Sequence, residues 1–155
     1  MTNVKLSTHF SVAEMCQSSM AVKLKISNYP VQDDYLEMLR YICVNILEPV
    51  RARYGSPIQI TSGYRCAALN SAIGGAVKSQ HCLGQAVDLM GQSPLDTVLL
   101  YVYLRCTNFD QLILEIKGNA TWVHVSCKPR AVNNRHMSLF IKDGKVIDSK
   151  YIKSY

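Results

Sequence analysis

Charge is scarce in this chain and unevenly signed. Only 18% of the residues are charged, and 17 lysines and arginines stand against 11 aspartates and glutamates, for a formal net charge of +6. With a hydrophobic fraction of 48%, the composition is that of an ordinary globular protein. Long apolar runs are missing. The longest, Val98 to Leu104, is too short to span a bilayer. The opening MTNVKLSTHFSVAEM has no apolar core of the signal-peptide type, so the expectation is a protein made in the cytoplasm that stays soluble unless something else exports it. None of the six cysteines (16, 43, 66, 82, 106 and 127) forms a CxxC pair, which argues against a structural zinc cluster. In a reducing compartment their even number implies no disulfides. No internal repeat, low-complexity stretch or linker stands out, so residues 1–155 are expected to form one domain.

The positive charge is concentrated. Residues 1–115 hold nine basic and nine acidic side chains, whereas residues 116–155 hold eight basic (Lys117, Lys128, Arg130, Arg135, Lys142, Lys145, Lys150 and Lys153) and only Asp143 and Asp148 as acids. A basic C-terminal hairpin or tail over about 129–155 is read first as a solvated edge guarded by lysines, and second as a surface attracted to an anionic polymer. No nucleic-acid-binding motif accompanies the charge, so nucleic acid is not expected as a partner.

Several elements declare themselves. Ser11-Val12-Ala13-Glu14 is a capping box that starts a short helix. Leu36, Leu39, Cys43, Ile46, Val50 and Tyr54 recur at helical spacing before Gly55, with Pro49 expected to bend the helix or mark a boundary. Pro57 to Thr61 reads as a strand, and Ser62-Gly63-Tyr64 turns the chain to present Arg65. A short helix ends at Gly74-Gly75. Ser93-Pro94 opens another helix, whose buried face is expected to be Leu95, Val98, Leu99 and Val102. Phe109 to Glu115 and Thr121 to Cys127 form a hairpin around Lys117-Gly118-Asn119. Met137 to Ile147 forms a further hairpin around Asp143-Gly144. Cys43 and Cys106 fall on apolar helix faces and are read as core thiols.

The chain is organised around SQHCLGQAVD, Ser79 to Asp88. Gly84 lets the chain turn after His81. Ala86, Asp88 and Met90 then alternate with Val87 and Leu89, as on a strand with one face buried. In WVHVS, 36 positions beyond Asp88, His124 alternates in the same way with Val123 and Val125. Two imidazoles and a carboxylate are what a catalytic zinc takes, with a fourth position left open. If Glu115 pairs opposite Trp122, it lies diagonal to His124, with Cβ atoms about 7–8 Å apart or less. That spacing suits a carboxylate acting on the same metal site.

The pattern SxHxxGxAxD, followed far downstream by WxHxS, resembles the zinc D-alanyl peptidases of peptidoglycan. These M15-type enzymes include D-alanyl-D-alanine carboxypeptidases, vancomycin-resistance dipeptidases and many phage endolysins, and share their metal centre with the hedgehog domain. HFSVAEMCQSS, ILEPVR and ITSGYR are similar to the compact bacterial and phage branch. The resemblance spans roughly residues 8 to 128. It implies His81, Asp88 and His124 as ligands of one zinc ion per chain, and Arg65 and Ser79 as substrate contacts. FDQLILE is similar to the FDxxxxE segment of the hedgehog domain, which implies Glu115 as the catalytic acid/base. Two positions depart from many relatives: Thr121 stands where they carry the base, and Trp122 where they carry a further histidine.

The expected fold is α+β, with a small antiparallel sheet carrying the zinc site on one face and helices around it. The expected activity is zinc-dependent hydrolysis of stem-peptide amide bonds, by an endopeptidase or D-alanyl carboxypeptidase of endolysin type that reaches the cell wall through a separate pore. A monomer is the simplest expectation. Outside those motifs, Ser79 also suits a turn hydroxyl, Arg65 a salt bridge, and Cys82 and Cys127 inert thiols beside the ligands. His9 and His136 read as surface or packing residues. The rival classes are a non-catalytic zinc module that binds wall or protein, and a cysteine peptidase using Cys82 or Cys127, for which the chain offers no Cys-His motif.

Overall fold

The computed structural model describes residues 4–129 and 132–151. Arg130 and Lys153 of the basic tail lie outside them.

Helix α1 (Val12–Cys16) starts at the expected capping box. The Ser11 hydroxyl accepts from the Glu14 amide, and the Glu14 carboxylate accepts from the Ser11 amide at 2.8 Å. A second short helix, α2 (Ser19–Leu24), capped by Ser18, was not apparent from the sequence. The long helical stretch runs as α3 (Asp33–Ile42), a wide π turn over Cys43–Leu47, and α4 (Glu48–Tyr54). Pro49 accounts for the interruption. It has no amide for the Asn45 carbonyl, and its ring crowds that carbonyl, so the backbone widens one turn earlier and the Glu48 amide reaches back to Cys43 O. Leu39, Cys43, Ile46 and Val50 are buried on one face, and Gly55 ends the helix in the left-handed conformation at φ 76°.

The sheet has six strands in the order β1-β2-β4-β3-β5-β6. They are β1 (Gln59–Ser62), β2 (Ala86–Met90), β3 (Gln111–Lys117), β4 (Ala120–Ser126), β5 (Met137–Lys142) and β6 (Lys145–Tyr151). All neighbours are antiparallel except β3 and β5. The α+β architecture is as expected, and the sheet is larger and mixed because β5 returns alongside β3 after a connection from the end of β4. Its first amide, on Met137, bonds the Asp110 carbonyl just ahead of β3. The β5–β6 hairpin turns at Asp143-Gly144, both with positive φ, as the sequence suggests. Val87, Leu89, Leu112, Leu114, Val123 and Val125 bury one face of the sheet.

Two remaining helices connect the strands: α5 (Ala67–Ala72) and α6 (Pro94–Leu104). Helix α6 starts at Ser93 with Pro94 in its first turn, but turns a different face inward from the one expected. Thr97, Leu100 and Leu104 are buried, whereas Leu95, Leu99 and Val102 are 79%, 37% and 47% exposed. The segment is apolar nearly all round, so its periodicity names no solvent face. The close approach of Gly91, whose amide bonds Thr97 Oγ1 at 3.1 Å, sets the rotation instead. Cys106 is another correction: it lies past the end of α6 and is exposed, while Cys43 is buried. All six cysteines are free. His9 pairs with Glu48 at 2.7 Å, and His136 packs edge-on against Phe109.

Gly84 fixes the approach to β2. It has φ 67°, and a Cβ there would lie 2.6 Å from the Tyr35 carbonyl oxygen on α3. Gly118 has a similar φ of 56° in the β3–β4 turn, with nothing within 4 Å of an added Cβ. Gly118→Ala should therefore cost about 1–2 kcal/mol, the left-handed backbone penalty alone. Gly84→Ala should cost about 1–3 kcal/mol more because the helix must move. Urea denaturation of the two variants checks the difference.

Candidate metal centre

Strands β2 and β4 are neighbours in the middle of the sheet, and Asp88 lies directly opposite His124. Alternation puts both on the face away from the core, since Val87, Leu89, Val123 and Val125 fill the other. His81 arrives from a short 3-10 turn, Gln80–Leu83, closed by Gly84. Its Nδ1 lies 2.7 Å from the Gly63 carbonyl oxygen. A carbonyl only accepts, so Nδ1 carries the proton and the lone pair of the neutral ring is on Nε2. Nε2 sits 3.3 Å from Asp88 Oδ1 and 3.3 Å from His124 Nδ1, and these last two are 2.8 Å apart.

Electron pairs of His81 and Asp88 thus converge on one small space, which calls for a cation between them. A tetrahedral zinc ion with ligand distances of about 2.0–2.1 Å has ligand–ligand edges of about 3.3 Å, which two of the three spacings match, with the Asp88–His124 spacing shorter. The residues present therefore fit such an ion. The Gly63 bond supplies the outer contact that sets the ring's orientation and tautomer. Among the described residues this is the one group of three or more histidine, cysteine or acidic side chains placed to hold a metal. It contains neither Cys82 nor Cys127. Burial alone would raise the Asp88 carboxyl, but hydrogen bonds and charge from His124 and His81 hold it well below the usual carboxylate range.

The donors open onto a cleft of about 760 Å³. Four more of the residues singled out in the sequence line it too: Glu115, Arg65, Ser79 and Trp122. Glu115 pairs with Trp122 and Ile113 with His124, so Glu115 is diagonal to His124 in the anticipated register. Its pKa is raised, first by burial and then by the charge of Asp88. Thr121 is buried on the core face of β4 and does not line the cleft. Arg65 follows β1, with its amide bonded to His81 O at 3.2 Å. Its Nη1 reaches Asn70 Oδ1 only at 3.5 Å, and its buried Nε has no partner among the described residues. Ser79 sits half-buried ahead of the 3-10 turn without capping it.

One group in the cleft wall escaped the sequence reading. Asp110, fully buried just before β3, accepts from Arg135 Nη2 at 2.6 Å, from Arg135 Nε at 3.1 Å and from Gln80 at 3.1 Å. Lys128 Nζ stands 3.3 Å away. Arg135 falls in the expected solvated tail and Lys128 just ahead of it, and their shared partner lies 25 and 18 positions upstream. Burial pushes the Asp110 carboxyl up, but the Arg135 bonds and charge and the Gln80 bond outweigh it and bring its pKa down to about 2.

A carboxyl depressed in the fold stabilises it fully above its unfolded pKa of about 3.9, and that contribution is lost as pH falls through the folded value. Urea stability measured from pH 5 to pH 2 should fall more steeply for the native chain than for Asp110→Asn. Zinc titration of metal-free protein should show one tight site, weakened about 10–100-fold or more in Asp88→Ala as one of three candidate ligands goes.

The model of the family Peptidase M15 matches residues 8–126. No curated protein matches the chain. The match runs from before the α1 capping box to the end of β4, and so takes in all three candidate metal donors and Glu115. This extent, together with a donor cluster that suits zinc, places the chain in the peptidase M15 family of metallopeptidases.

Proposed function

We propose that the chain is a zinc-dependent peptidase of peptidoglycan stem peptides, an endopeptidase or D-alanyl carboxypeptidase of endolysin type, with one zinc ion held by His81, Asp88 and His124. The carrying observation is the meeting in one cleft of Asp88, His124 and Glu115 from adjacent strands with His81 from the 3-10 turn. Zinc bound there supplies a polarised carbonyl and a nucleophile at neutral pH.

The chain's own residues do the rest. Glu115 takes the proton from the attacking water and returns it to the nitrogen of the leaving amine. Its raised pKa makes it a stronger base than a free carboxylate and a better proton carrier in the second half of the reaction. Arg65 lines the cleft and brings a fixed cation to it. That guanidinium is suited to a substrate carboxylate or the developing oxyanion. The Ser79 hydroxyl offers a further contact on the same wall. Trp122 gives an apolar surface against which a substrate side chain can pack. Release to the wall by a separate pore, as in the phage enzymes the sequence resembles, belongs to the same reading.

The test is mass spectrometry of fragments released from purified peptidoglycan. One defined new peptide terminus should appear, vanish with chelator and return with zinc. Glu115→Gln should keep its zinc and lose about 10²–10⁴-fold in kcat. A zinc-loaded protein that releases nothing would instead be a non-catalytic binding module.

A further inference from the structure

We propose that Asp110 and Gln80 are positioning residues for the metal centre: the Asp110 carboxylate, tied to the strand of His124, holds the turn of His81 at the distance one ion needs. This rests on the proposed zinc centre and adds two residues that act through a donor without touching the ion.

The need comes from the turn. His81 reaches the centre from a 3-10 turn of only four residues, Gln80–Leu83, whereas Asp88 and His124 stand on paired strands. Such a turn has poor hydrogen-bond geometry and little stiffness of its own. A donor set works only when its members are held within about 0.5 Å of the productive geometry. The Gly63 carbonyl orients the His81 ring, and the Arg65 amide holds the His81 carbonyl at 3.2 Å. Both contacts come from the loop after β1. Neither ties His81 to β4, where the second histidine stands.

Asp110 supplies that tie. Its amide bonds the Ser126 carbonyl at 2.7 Å, two residues beyond His124. Its side chain accepts from Gln80 Nε2 at 3.1 Å, one residue before His81. A carboxylate only accepts, so this contact also fixes which way the Gln80 amide points. A path of two hydrogen bonds thus runs from the strand of one histidine to the turn of the other, and their facing nitrogens lie 3.3 Å apart.

The acceptor is rigid before Gln80 meets it. Asp110 is fully buried, and a buried carboxylate demands partners for both oxygens. The Arg135 amide bonds Oδ1 at 2.9 Å, Arg135 Nη2 bonds Oδ2 at 2.6 Å, and Lys128 Nζ stands 3.3 Å from Oδ1. Lys128 is held in turn by the Asn133 carbonyl at 2.7 Å. Both cations lie beyond residue 126, where the family match ends. The segment leading into β5 therefore reaches the metal centre through Asp110.

The experiment titrates metal-free native protein and its variants with zinc, and records the visible absorption of the same proteins loaded with cobalt(II). Gln80→Met keeps the side-chain length and leaves Asp110 with Arg135 and Lys128. It should weaken zinc binding about 10–100-fold, as the loss of an outer contact does, and change the cobalt spectrum. Asp110→Asn should do the same, and the double variant should bind no more weakly than the weaker single, because both remove one path. Gly118→Ala, which strains a turn outside the cleft, should lower urea stability yet keep the native zinc affinity and cobalt spectrum. Native affinity and spectrum in Gln80→Met would overturn the inference and leave the metal centre standing. Losses that multiply in the double variant would overturn it as well. A native protein that binds neither ion would overturn the metal centre and the inference with it. Urea denaturation shows which variants fold, and Gln80→Met decides the matter if Asp110→Asn does not.

Discussion

The bond from His81 Nδ1 to the Gly63 carbonyl is the contact on which the metal centre depends. It fixes the tautomer, and so decides that the lone pair faces Asp88 and His124. That carbonyl is held in turn from the other side. A Cβ at position 63 would lie 2.3 Å from Met15 O, and the Tyr64 amide bonds that same oxygen at 2.7 Å. Asn28 ties the arrangement together: its Nδ2 bonds the carbonyls of Cys16 and Tyr64, and its Oδ1 accepts from the Cys66 amide. The short N-terminal helices are thus clamped to the loop that orients a metal donor and presents Arg65.

The sheet solves the complementary problem of bringing distant residues together without long loops. Asp88 and His124 meet because their strands pair, and alternation sends the flanking valines and leucine into the core. The same pairing continues to β3 and delivers Glu115 beside the centre. Core burial and site geometry are therefore one constraint. A one-residue slip of β4 would expose Val123 and Val125 and bury His124.

Two positions that depart from many relatives acquire a physical meaning. Thr121 faces the core, so a carboxylate there would be buried away from the cleft in this register. Trp122 instead occupies the cleft face opposite Glu115. The carboxylate that the cleft does hold, Glu115, stands on the neighbouring strand, and the wall gains an aromatic surface.

Much of this was legible in the chain itself. Regular alternation around Asp88 and His124, the capping box at Ser11, the turn at Asp143-Gly144 and the helix stop at Gly55 are local signals, each satisfied within a few residues. Even the Glu115–Trp122 register followed, because a short hairpin leaves few alternatives. What stayed hidden depends on partners far apart in sequence. The inward face of α6 could not be read because an almost wholly apolar helix has no polar side to exclude, and only packing at Gly91 chooses its rotation. The parallel pairing of β5 with β3 and the convergence of Gln80, Lys128 and Arg135 on Asp110 could not be read either. The sequence by itself determined which residues could bind a metal and which faces they share, since periodicity is a local property. Only the tertiary structure decided which charges meet, because a buried carboxylate takes its partners from whatever the fold brings within hydrogen-bonding reach.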